Sequence, residues 1–134
     1  MPISNIPIFS MLRTRMQWHQ ERQRLLAENV ANADTPNFRP RDLTPPKFDG
    51  PASAVAPSLG LVRTASAHLS GSSVSGAGPF ESRQRSGQEI RPTGNAVSLE
   101  DEMLKVAANQ MDYQAATAIY SRSLGLIKTA IGRG

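Results

Sequence analysis

Apolar residues recur at helical spacing at both ends of this chain and lose that period between them. From Ile8, steps alternating between three and four pass through Met11, Arg15, Trp18, Arg22, Leu25, Asn29 and Asn32. The adjacent row reads Leu12, Met16, His19, Gln23, Leu26, Val30 and Ala33. Together the rows make one broad, imperfect apolar face, which predicts a helix over residues 8–34. Ser10 can cap an inner start, and Pro7 is permitted in the first turn of an earlier one. The stop is sharper, because Pro36 disfavours helical geometry at Thr35 and because Asn32 and Asp34 tolerate the turn that follows.

A second period opens after the Gly94-Asn95 turn and predicts a helix over residues 98–131, about 50 Å long at ~1.5 Å per residue. Its seam runs Leu99, Met103, Val106, Gln110, Tyr113, Thr117, Tyr120, Leu124, Ile127 and Ile131, in steps of four and three like a coiled-coil stripe. Leu104, Ala107, Ala108, Met111, Ala115, Ala118 and Ile119 widen it, and the alanines would let another helix approach closely. Ser98 with Asp101 resembles a capping box, and Glu100, Asp101 and Glu102 place negative charge where the helix dipole favours it. Gly125 is a weak spot, costing about 1 kcal/mol relative to Ala inside a helix.

Between the helices, residues 35–97 read as loop. Pro, Ser, Gly and Ala dominate from about residue 39 to residue 93, with Thr44-Pro45-Pro46 and a linker-like Ser70 to Pro79 stretch. Leu59 to Leu69 carries a weak apolar pattern that fits a short strand or a turn of helix. The fold class is therefore all-α: two long terminal helices and a long, largely irregular middle in a single 134-residue chain. So long a loop points either to disorder in isolation or to ordering by contacts outside the chain.

Composition narrows the function. With no cysteine, disulfides and thiolate metal sites are excluded. No apolar run is long enough to span a membrane, and the N-terminus lacks the apolar core of a cleaved signal. The net charge of +4 is modest and the arginines are scattered, whereas nucleic-acid binding calls for a basic face interleaved with aromatics. An Arg-rich start resembles a transit peptide, but Glu21 and Glu28 interrupt it. His19 and His68 stand alone, without Cys, His or paired carboxylates at ligand spacing, so no metal site is expected. Glu100, Asp101 and Glu102 point apart on a helix and have no evident base, so they do not form a catalytic cluster. The loop holds no Gly-rich phosphate cradle in a strand–helix setting. The expected protein is not an enzyme and uses no cofactor. Trp18 reads as core rather than a ligand platform. Asn29 and Asn32 have two readings: a seam asparagine that fixes register, or an ordinary polar residue in a fraying last turn.

The string Asn29-Val30-Ala31-Asn32-Ala33-Asp34-Thr35-Pro36-Asn37-Phe38 resembles the N-terminal signature of bacterial flagellar axial proteins, the rod, hook and hook-associated components. In that family an Asn-x-Ala-Asn-x-x-Thr-Pro-Gly-Tyr string closes the first helix. Gly94 to Met103, then Asn109 to Ala115 with Ser121 to Ile131 after it, and Arg41-Asp42 all resemble the proximal-rod FlgB type. The resemblance covers roughly the first 43 and the last 41 residues. Asn37 stands where the family has Gly, which is mild because Asn accepts left-handed geometry, and Phe38 replaces Tyr, keeping the ring without the hydroxyl.

The resemblance implies a structural subunit of the flagellar basal-body rod in the periplasm, exported by the flagellar type III apparatus without signal cleavage. It implies terminal helices paired as an antiparallel coiled coil. The implied partners are copies of itself, other rod subunits and the membrane-ring/rod adaptor at the base. No nucleic acid or small-molecule substrate is implied. The residues expected to pack and assemble are Met11, Trp18, Leu25, Asn29, Asn32, Thr35, Pro36, Phe38, Leu99, Met103, Val106, Tyr113, Tyr120, Leu124, Ile127 and Ile131. Two rival readings are another axial or rod-adaptor subunit and a helical nucleic-acid-binding protein.

Overall fold

Helix α1 (Pro7–Ala31) starts where the chain leaves extended geometry at Ile6 and Pro7 takes the first helical position, a site whose N–H needs no partner. The start thus lies outside Ser10, whose hydroxyl donates to the Pro7 carbonyl instead of capping. The computed structural model describes residues 6–48, 80–85 and 90–132. The patterns read over residues 59–69 and 70–79 lie outside the described residues. Past Ala31 the hydrogen bonds tighten: Asn32 N–H reaches Glu28 O, but Ala33 N–H reaches only Val30 O and Thr35 N–H only Asn32 O.

Helix α2 (Leu99–Ile131) lies antiparallel to α1. Near its start Glu102 meets Asn29, midway Asn109 meets His19, and further on Tyr120 meets Phe9. Ser98 is the N-cap residue but makes no side-chain capping bond, so the capping box with Asp101 does not form. The acidic first turn still complements the dipole.

An all-α description is incomplete. Strands β1 (Arg41–Leu43) and β2 (Ser82–Gln84) form a two-stranded antiparallel sheet, with Arg41 opposite Gln84, Asp42 opposite Arg83 and Leu43 opposite Ser82. Three-residue strands carry too little alternation to betray themselves in sequence, and a two-stranded ribbon needs a surface to lie on. That surface is α1. Leu43 joins Trp18 and Leu25 in one buried cluster against which Phe80 packs. The Trp18 indole N–H donates to Thr44 O at 2.8 Å. Arg22 grips Asp42 with a two-pronged pair at 2.9 and 3.1 Å, its guanidinium 5.2 Å from the Trp18 ring centre. Helix α1 therefore serves two partners, the strands on one side and α2 on the other.

Candidate assembly site

Among the described residues, the densest polar geometry lies where α1 ends, β1 begins and α2 begins. Asn29, 1% exposed, holds all three. Its amide donates to Arg41 O at 2.7 Å and to Glu102 Oε2 at 2.8 Å, and its side-chain oxygen accepts from Arg41 N–H at 3.0 Å. The Asn29 side chain thus pairs with the Arg41 backbone in both directions, as a neighbouring strand would. Glu102, also buried, takes its second partner from Lys105 Nζ at 2.6 Å.

A second asparagine closes the turn. Asn95, buried, donates to Asn32 O at 2.9 Å and Thr35 O at 2.7 Å, the two carbonyls that also accept the turn's own N–H groups from Thr35 and Phe38, and accepts from Val97 N–H at 2.8 Å. Asn32 turns back to Glu28 O, and the Thr35 hydroxyl donates to Asn32 Oδ1. Asn37 adopts the left-handed conformation at φ 59° and sends its N–H to Thr93 O. Facing it, Gly94 has φ 79°, and a Cβ there would lie 2.2 Å from Asn37 Oδ1. Only glycine meets both demands. Ala96 N–H then bonds Phe38 O, which carries the chain alongside the turn and into α2.

Along the helix pair the seam mixes buried polar groups with apolar and aromatic ones. The fully buried residues of α2 are Glu102, Asn109 and Ala116, each seven after the last. Val106, Tyr113, Tyr120 and Ile127, half-buried, complete a heptad row. Asn109 donates to His19 O and to Gln23 Oε1, both at 2.9 Å, and accepts at 2.7 Å from His19 Nδ1. An amide oxygen can only accept, so the His19 proton sits on Nδ1. Gln20 reaches the Tyr113 hydroxyl at 3.1 Å beside this network. Among the described residues, no buried side-chain nitrogen or oxygen lacks a partner.

The expected residues divide between several places. Trp18 and Leu25 are buried, but under the strands rather than α2. Asn29 is buried at the junction, Asn32 and Phe38 are half-buried beside it, and Thr35 and Pro36 are exposed on its turn. Val106, Tyr113, Tyr120 and Ile127 line the α1 side of α2, whereas Leu99, Met103, Leu124 and Ile131, like Met11 on α1, are exposed. The side of α1 that meets α2 is the adjacent row, through Phe9, His19 and Gln23. Reading one four-three row per helix picked half of each contact. Most of the residues it missed, Asn95, Glu102 and Asn109 among them, are polar, and hydrophobic periodicity passes over polar positions, while the buried apolar Phe9 lies just ahead of the row it belongs to.

Among the described residues no group of three His, Cys, Asp or Glu could hold a metal ion, and no described helix is long and apolar enough to cross a membrane. What the geometry offers is fixed register between two long helices and a braced turn, the attributes of a helical structural component. No protein-family model matches the chain. Curated relatives do. The flagellar basal body rod protein FlgB of Agrobacterium fabrum is 30% identical over 109 residues, 81% of this chain and 80% of that protein. The protein of the same name from Cereibacter sphaeroides is 32% identical over 113 residues, 84% of each. The chain belongs to the FlgB family of flagellar basal body rod proteins. It is a structural protein of the flagellum, not an enzyme.

Proposed function

We propose that this chain is a proximal-rod subunit that links the membrane-embedded base of the flagellum to the rest of the rod and transmits torque along it. One observation carries the reading beyond family membership. The two strings that resemble axial proteins, Asn29 to Phe38 and Gly94 to Met103, converge on a single junction through Asn29, Asn95 and Glu102. A subunit that transmits torque needs that corner stiff, because it is where one long helix gives way to the loop and the other begins.

In the assembled rod the terminal helices pair as an antiparallel coiled coil. Exposed Met11, Leu99, Met103, Leu124 and Ile131 contact neighbouring subunits, and Thr35 and Pro36 set the turn. The neighbours are copies of the chain, other rod subunits and the rod adaptor at the membrane ring. The chain reaches the periplasm through the type III apparatus with its N-terminus uncleaved.

The test is mass spectrometry of hook–basal bodies purified from the source cell. A few copies of this chain per particle, with the N-terminal peptide intact, is the expected result. Its absence from particles that contain the other rod proteins would overturn the reading.

A further inference from the structure

The face of α2 turned away from α1 has no partner in the chain and is apolar. Leu104 and Met111 are each 70% exposed, Leu126 68% and Ile119 53%. They share one row with Ala108, Ala115 and Ala130, and the row repeats every 11 residues: Leu104, Ala115, Leu126 in one phase and Ala108, Ile119, Ala130 in the next. An 11-residue repeat is ~3.67 residues per turn, close to the helix's own period, so the row stays on one side of a nearly straight helix. Within each phase large and small residues alternate.

We infer that this outward row is the contact between successive copies of the chain, two α2 helices running parallel and shifted by one 11-residue repeat. The inference rests on the rod reading and names the partner and the geometry. The shift, about 16 Å at ~1.5 Å per residue, sets Leu104 of one copy against Ala115 of the next, Ala108 against Ile119 and Ala115 against Leu126. Every large residue then meets a small one. Charge selects the same arrangement. Arg122 and Asp112 are both exposed and make no ion pair among the described residues. The shift brings Arg122 of one copy level with Met111 and Asp112 of the next. A parallel pair in register would instead put Arg122 on Arg122 and Glu100 on Glu100. A shifted contact of this kind does not close on itself, so it propagates along an axis. Helix α1 offers no competing surface, because its outward side carries Arg13, Gln17, Gln20 and Arg24.

The chain contains no cysteine, so an introduced pair reports alone. Full-length Leu104→Cys/Ala115→Cys is expressed in place of the native chain, and its purified hook–basal bodies are oxidised with copper phenanthroline. The expected result is cross-linked dimers and higher multiples from the double variant and monomer from either single variant. Cross-linking by a single variant, or monomer alone from particles that contain the double variant, would overturn the inference and leave the rod reading standing. Absence of the unmodified chain from the particles would sink both. A second measurement does not depend on cysteine. Asp112→Arg should lower copies per particle by about fivefold, the loss of a pair worth about 1 kcal/mol, and Asp112→Arg/Arg122→Asp should recover them. No recovery in the swap would count against the shift.

Discussion

The two long faces of α2 are the reverse of what a self-sufficient protein would build. The face against α1 fully buries Glu102, Asn109 and the small Ala116, and only half-buries its larger apolar side chains, Val106, Tyr113, Tyr120 and Ile127. The face against solvent carries Leu104, Met111, Ile119 and Leu126. Buried amides and carboxylates add little net stability but are costly when their partners are displaced, so they fix register more than they add strength. Apolar area adds strength wherever it is covered. Within one chain, then, α2 is aligned by its inner face. Its larger stabilisation is held back for whatever covers the outer one.

The comparison breaks most severely at Asn29. Asn29→Ala removes the partners of Arg41 N–H, Arg41 C=O and Glu102 Oε2 at a buried position. At roughly 1–3 kcal/mol for each unsatisfied buried group, a loss of about 3 kcal/mol or more is expected, read as a lower midpoint in urea unfolding followed by circular dichroism. Asn29→Asp should do no better, since a carboxylate cannot donate and would face Glu102. A midpoint unchanged in both variants would mean that the junction does not form in the free chain. Asn109→Ala comes next. It strands Gln23 Oε1 and the His19 ring, but the cleft between Gln20, Gln110 and Gln114 beside it is open enough to admit water, which offsets part of the loss. About 2 kcal/mol is expected, together with a shift of the His19 ring signals in NMR, because Nδ1–H loses its acceptor.

Gly94→Ala tests the turn rather than the seam. The left-handed φ costs a non-glycine residue about 1 kcal/mol, and the new Cβ must also push Asn37 aside. A total of about 1–2 kcal/mol is expected, with new protease cleavage near residue 94 as the local sign. Asn37→Gly, which relieves the second left-handed residue, should move stability the other way by a few tenths of a kcal/mol, measured in the same unfolding series.

How far the sequence carried this molecule follows from the same contrast. Helices were legible because apolar residues recur for many turns, and the end of α1 because Pro36 forbids continuation. Which side of each helix faces its partner was not. On α2 apolar residues are spread around most of the circumference, so periodicity marks every apolar row as a possible seam, and the true one is chosen by Glu102 and Asn109. The strands were hidden for a different reason. Arg41–Leu43 has no pattern of its own and is held by Asn29 and Trp18 from α1. The Asn29 to Phe38 string was legible as a family signature, but its role came only with Arg41, Asn95 and Glu102 brought to it in space.

The smallest expected effect on the free chain separates the two faces most clearly. Leu104→Gln exchanges one good helix former for another at a position that is 70% exposed. Its unfolding midpoint should move by less than about 0.5 kcal/mol, the range of ordinary surface changes. The same substitution places an amide on the apolar face that the chain leaves uncovered, so its copy number in purified hook–basal bodies should fall severalfold. Asn109→Ala should divide its effect the other way, with most of the loss already present in the free chain. If Leu104→Gln instead destabilised the isolated chain as much as Asn109→Ala, the outer face would be packed within the subunit. The division of labour between register and strength would then have to be drawn elsewhere.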